Sequence, residues 1–157
     1  MARSAVLAGR TLADLCRNLV VVTLMTIVAY LIGFRFTGGT THALEALLVA
    51  ALLGYAFSWI SAAIGIAVKD SETAQVAGFV WLFPLVFASS IFVPVATMPT
   101  WLQLFAKHSP ITYSATAVRA LSLGTDPYPT LWYALAWIAG ILVVFVPLAV
   151  ALYRRRI

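Results

Sequence analysis

Four stretches of this chain are apolar enough, over nearly enough residues, to lie in lipid: 19–34, 43–68, 73–96 and 131–152. A bilayer core about 30 Å thick needs roughly 20 apolar helical residues, and inside it only helices or closed barrels satisfy their own backbone groups. Runs of this length predict an all-α polytopic membrane protein with a single transmembrane domain spanning 1–157. Of the 157 residues, 63% are hydrophobic and 10% charged, so one water-soluble core is excluded as the default fold.

The net charge of +5 does not point to nucleic acid, because the basic residues flank the apolar runs rather than forming one polar face. With four spans both termini lie on one side. Arg3, Arg10, Arg17, Lys69 and the terminal Arg154, Arg155 and Arg156 then share that side, against Arg35, Lys107 and Arg119 on the other. Seven against three predicts cytoplasmic termini, a multi-pass chain in the plasma membrane and an external segment 97–129. The first run is expected to be retained, since no small-x-small cleavage signal follows it. Cys16 stands alone and His42 and His108 are far apart, so neither a disulfide nor a metal cluster is expected.

Residues 1–18 have helical amphipathicity. Arg3, Arg10, Asp14 and Arg17 fall in one wedge, opposite Ala5, Ala8, Leu12, Leu15, Cys16 and Leu19. Asp14 is spaced to pair with Arg17 or Arg10. Two readings stand: a basic anchor on anionic headgroups, or a docking surface for a cytoplasmic partner, which an acidic residue in a basic stripe helps specify. The charged turn at Lys69, Asp70 and Glu72 lies at the same end.

In the second span Gly54, Ser58, Ser61 and Gly65 line one stripe, a pattern that lets another helix approach closely. Glu45, at the outer end of that span, is expected to be hydrated. Pro84 in the third span removes a backbone hydrogen bond and predicts a bend.

Segment 97–129 is too short to span twice and too apolar for a plain loop. Pro99 suits a helix start. Met98, Trp101, Leu102 and Phe105 then recur at helical spacing as one face expected to rest on the outer ends of the spans or, alternatively, to anchor in the lipid interface, with Lys107 and His108 at the close. Ser109 suits an N-cap with Pro110 after it, and Gly124 a stop. Two short helices of this kind predict a re-entrant external hairpin.

Residues 87–94 read FASSIFVP, 98–102 read MPTWL, and Pro110, Thr112 and Arg119 follow. Together these resemble the signature of the membrane subunits of type-2 ABC exporters, the class containing the daunorubicin-resistance permeases. GRTLADLCR at 9–17 is similar to that family's cytoplasmic coupling helix. The resemblance covers essentially the whole chain and implies a permease driven by a separate ABC ATPase that binds ATP and magnesium, with no cofactor on this chain. It implies ATPase contacts at Arg10, Asp14, Arg17, Lys69, Asp70 and Glu72, and an external gate at Pro94, Met98, Pro99, Trp101, Leu102, Phe105, Pro110 and Arg119. A homodimer or a second permease subunit is implied as well. Family members have six spans, and the four seen here correspond to the last four, so the chain is expected to be a fragment, a truncated reading frame or one part of a split subunit.

The residues agree with a non-enzymatic role: no Gly-x-x-x-x-Gly-Lys-Ser/Thr loop, Gly-x-Ser-x-Gly elbow or His-Glu-x-x-His helix occurs. The expected function is export of hydrophobic or amphipathic compounds such as drugs or lipid-like molecules. A small structural or accessory membrane protein is the alternative, and a membrane-embedded enzyme comes third.

Overall fold

The computed structural model describes residues 3–68 and 70–155, without the side chains of 3–8, Arg10, Ser71 and Arg155. Its elements run α1 (Arg3–Ile32), α2 (Gly39–Ala67), α3 (Ser71–Phe87), a 3-10 turn (Val95–Thr97), α4 (Thr100–Lys107), α5 (Pro110–Leu123) and α6 (Thr130–Arg155). The loop 33–38 and the hairpin 95–123 lie at one end of the bundle. The start of α1, the end of α2, the start of α3 and the end of α6 lie at the other.

Helix α2 is the centre of the bundle, packed on α1, α3, α5 and α6. It meets α6 through Ala56, Ile60, Ile138 and Ile141, and nearer the termini through Trp59, Ala63 and Ala149. Alanines at these contacts let two backbones approach, which in lipid supplies the packing that the hydrophobic effect supplies in water. Phe57 and Trp81 meet edge to face at 5.5 Å, fixing α3 against α2. Helix α1 leans on α2 alone among its substantial contacts, and its apolar window has no buried residue.

Among the described residues three helices are long and apolar enough to cross a membrane: α1 from Thr11, α2, and α6. The expected third span is shorter than 73–96. Helix α3 ends at Phe87 after 17 residues, roughly 25 Å at 1.5 Å per residue. Part of the reason is local. Pro84 donates no N–H, the Ser89 hydroxyl donates to the Val86 carbonyl, and Ala88 N–H bonds back to Pro84. The last carbonyls are therefore closed off and the chain turns aside before Val93.

The boundary expected near residue 18 is also absent. Helix α1 is continuous from Arg3 to Ile32, because no glycine or proline occurs between Arg10 and Ile32 and charged residues do not break a helix. It ends at Gly33 (φ +108°), where the Arg35 guanidinium lies over the Tyr30 ring and donates to the carbonyls of Tyr30 (2.8 Å) and Phe34 (3.0 Å). A cation so placed closes the C-terminus and favours its dipole.

Candidate functional site

Two regions hold the residues singled out from the sequence. The first is the hairpin. Pro99 occupies the N-cap position of α4, its carbonyl accepting from Leu102 and Gln103 N–H at 2.9 Å. Pro110 opens α5 and Gly124 closes it in the left-handed conformation at φ +67°. Ser109 has the N-cap position but makes no side-chain cap bond, and its hydroxyl is buried without a partner.

Helix α5 is wedged between α2 and α6, and buries Pro110, Ile111, Thr112, Ser114, Ala117, Leu121 and Ser122. Its end is locked by the loop after α1: Thr37 N–H donates to the Ser122 carbonyl at 3.1 Å, and Gly38 lies against Gly124. A Cβ on Gly38 would sit 2.6 Å from the Leu121 carbonyl oxygen, and one on Gly124 would sit 2.9 Å from the Gly38 Cα. Only glycines permit this crossing. The turn after α3 is tied to α5 as well, since Ser90 N–H donates to Thr112 Oγ1 (3.2 Å) and Arg119 Nη2 donates to the Ser90 carbonyl (3.4 Å).

Helix α4 is placed differently. The face expected to rest on the spans divides: Met98 is buried and Leu102 half-buried, while Trp101 is 75% exposed and Phe105 is 54% exposed. Gln103 holds the entry turn by donating to the Met98 (2.8 Å) and Ala96 (3.3 Å) carbonyls. Beneath α4 lies an open apolar hollow of about 600 Å³, edged by Trp81, Trp101, Phe105 and Trp137. Pro94, at the mouth of this turn, is exposed and precedes the 3-10 turn.

The second region is a hollow of about 790 Å³ at the end where α1 begins and α6 closes. Helix α1 lends it Thr11, Asp14, Arg17 and Asn18; α2 lends Ser58, Trp59, Ser61 and Gly65; Tyr153 comes from α6. The small-residue stripe thus does two things. At Gly54 it allows close approach, since a Cβ there would lie 3.2 Å from Asn18 Nδ2, whereas nothing lies within 4 Å of a Cβ on Gly65. Ser58 turns its hydroxyl back to the Tyr55 carbonyl at 2.8 Å, and beyond Gly54 the stripe opens into a cleft of mixed lining, apolar walls with a few polar groups. The α2 residue of this lining farthest from the Ala67 end is Ser58, roughly 14 Å along the helix at 1.5 Å per residue.

Asp14 and Arg17 line this cleft rather than a separate surface helix, and they form no ion pair with each other. Of the two pairings expected from spacing, the one with Arg17 is not made, both side chains lining the gap beside α2, and the one with the Arg10 side chain lies outside the described residues. Asp70 and Glu72 are exposed at the turn into α3. Lys69 and the Arg10 side chain lie outside the described residues. Glu45 is at a wet edge, its Oε2 3.1 Å from His42 Nδ1 and both side chains 40% exposed. Among the described residues no three His, Cys, Asp or Glu side chains gather as a metal site.

The Gly38–Gly124 crossing, Asn18 under Gly54 and the tie from Ser90 to Thr112 were missed in the sequence. The only signal for the first was the Thr37-Gly38-Gly39 run before a helix; the others join residues far apart in the chain.

Comparison with known proteins matches residues 1–123 to a family model described as ABC-2 type transporter. The chain is 37% identical over 152 residues to the daunorubicin resistance ABC transporter permease protein DrrB1 of Streptomyces coeruleorubidus, covering 97% of this chain and 54% of the relative. It is 33% identical over 154 residues to the probable doxorubicin resistance ABC transporter permease protein DrrC of Mycobacterium tuberculosis, covering 98% and 55% respectively. The chain therefore spans about half the length of these relatives. No solved structure matches.

Proposed function

The chain belongs to the ABC-2 type transporter family, and on that premise we propose that it serves as a permease subunit of an ATP-driven exporter of hydrophobic or amphipathic compounds. The observation that carries this reading is the contrast between the two ends: a cleft lined by Asp14, Arg17 and Asn18 among apolar residues enters from the terminal end, while α5 fills the opposite end between α2 and α6. That is the shape of a permease at rest, open to the side of loading and shut at the exit. The split of basic residues supports a cytoplasmic terminal end.

In this account the partner ATPase binds and hydrolyses ATP, and it docks where α1 begins and at the exposed Asp70 and Glu72. Asp14, Arg17, Asn18 and Tyr153 offer polar contacts to an amphipathic molecule entering the cleft, while the apolar walls of α2 and α6 take its hydrocarbon part. A second permease chain, identical or not, completes the pathway. Inside-out vesicles carrying this chain with its cognate ATPase test the reading. ATP-dependent uptake of fluorescent daunorubicin above that of vesicles lacking the chain is the expected result; equal uptake rejects it.

A further inference from the structure

The turn that follows α3 carries a contact that closing the exit does not by itself require. Ser90 is bound at both of its backbone groups by side chains of one helix: its N–H by Thr112 Oγ1 at 3.2 Å and its carbonyl by Arg119 Nη2 at 3.4 Å. Thr112 and Arg119 are seven residues apart on α5, two turns along one face. Within and near lipid a backbone group without a partner is costly, so a residue clasped on both sides by α5 fixes where the end of α3 sits.

The rest of α3 lacks comparable anchoring. It packs principally against α2 and turns Phe79, Phe83 and Phe87 outward, each more than half exposed. Its outer end, where Ala88 and Ser89 are buried, is tied to α5 through these two polar contacts. Such a clasp suits a joint that opens: water at the outer interface can replace two hydrogen bonds at small net cost, whereas parting apolar surfaces packed tightly together forfeits the contacts as well.

We propose that Thr112 and Arg119 are positioning residues that clasp the outer end of α3 to α5, and that this clasp opens when a molecule leaves. Its second half rests on the permease reading; the clasp itself does not. The contact joins the proposed gate to a helix that otherwise packs principally against α2, so movement of α3 at its inner end, beside Asp70 and Glu72, reaches α5 through Ser90.

The test uses the chain assembled with its ATPase in membranes, with Cys16 replaced by Ser and a reporter cysteine at Ala88, which is 9% exposed beside the clasp. A charged, impermeant thiol reagent is applied from outside. Thr112→Val and Arg119→Ala should each raise the labelling rate roughly two- to tenfold, the range set by losing one hydrogen bond that holds a local closed state. Thr112→Ser, which keeps the acceptor and controls for misfolding, should label at the parental rate. Unchanged rates in both Thr112→Val and Arg119→Ala overturn the clasp. The positioning role is read separately, as molecules exported per ATP hydrolysed. A fall in Thr112→Val with parental ATP hydrolysis, restored in Thr112→Ser, supports it, and a parental ratio in a variant whose labelling has risen overturns it. A parent complex that exports nothing fails the permease reading instead, and leaves the clasp to stand or fall on labelling.

Discussion

The two arms of the hairpin look alike as sequence and differ as structure. Both open at a proline, both are too short to span, and both carry an apolar face. Yet α5 buries half of its residues between α2 and α6, whereas α4 buries only Ala106. The difference lies in what each arm offers a neighbour. Helix α5 presents Ile111, Ser114, Ala117 and Leu121 at three- and four-residue spacing, with small residues that let it sink between two helices. Helix α4 presents Trp101, Leu104 and Phe105 outward, bulky groups suited to the headgroup boundary of a bilayer. Amphipathicity alone does not separate a plug from a surface float; side-chain size on the apolar face does.

The largest expected effect falls on the buried arm. Leu121 is fully buried, and Leu121→Ala should lower stability by about 2–5 kcal/mol through lost contacts and a cavity. Leu104, 69% exposed on α4, is the matched control: Leu104→Ala should change stability by less than about 0.5 kcal/mol. Unfolding midpoints in mixed detergent check both, and equal shifts would erase the distinction between arms.

A middling effect is expected where loop 33–38 locks α5. Gly38→Ala puts a methyl group 2.6 Å from the Leu121 carbonyl oxygen, an overpacking that should cost about 1–3 kcal/mol. Gly39→Ala is no clean control because Gly39 has φ +85°, but Gly65→Ala, with open space around its Cβ, should leave the same midpoint unlowered. A Gly38→Ala protein as stable as its parent would mean that the loop does not lock the plug.

The smallest effect belongs to Trp101. Trp101→Ala should leave the unfolding midpoint within about 0.5 kcal/mol of the parent. Trp101→Phe and Trp101→Tyr should keep α4 at the interface, as aromatic anchors do. Quenching by lipids brominated at graded depths, applied to a variant retaining only Trp101, should be strongest near the headgroups. Quenching strongest at the acyl ends would place α4 in the core and contradict its role as the surface arm.

What could be read in advance follows the range of the interactions. Pro99, Ser109, Pro110 and Gly124 mark the hairpin helices because prolines and glycines act on their own neighbours, and the helical ends fall close to those residues. The end of α3 was misread because hydropathy continues to Val93 while the helix does not. Its stop depends on Ser89 bonding back to Val86 and on Ser90 being held by Thr112, the latter a contact across more than twenty residues. Likewise Asp14 and Arg17 were legible as a charged wedge, but not as the wall of a cleft, which exists only because α1 runs unbroken beside the small residues of α2. The Gly54 to Gly65 stripe was legible as small; that it closes at one end and opens at the other depends on Asn18.

Hydrogen exchange of the chain in lipid nanodiscs tests the central claim most directly, since it compares the two arms in one experiment without any substitution. Amides within α5, at 114–123, should exchange as slowly as those at the middle of α2 and α6. Amides at 104–107 in α4 should exchange faster by roughly a hundredfold or more, because a surface arm opens locally while a plug opens only with the bundle. Equal exchange in the two arms, or slower exchange in α4, would contradict the account.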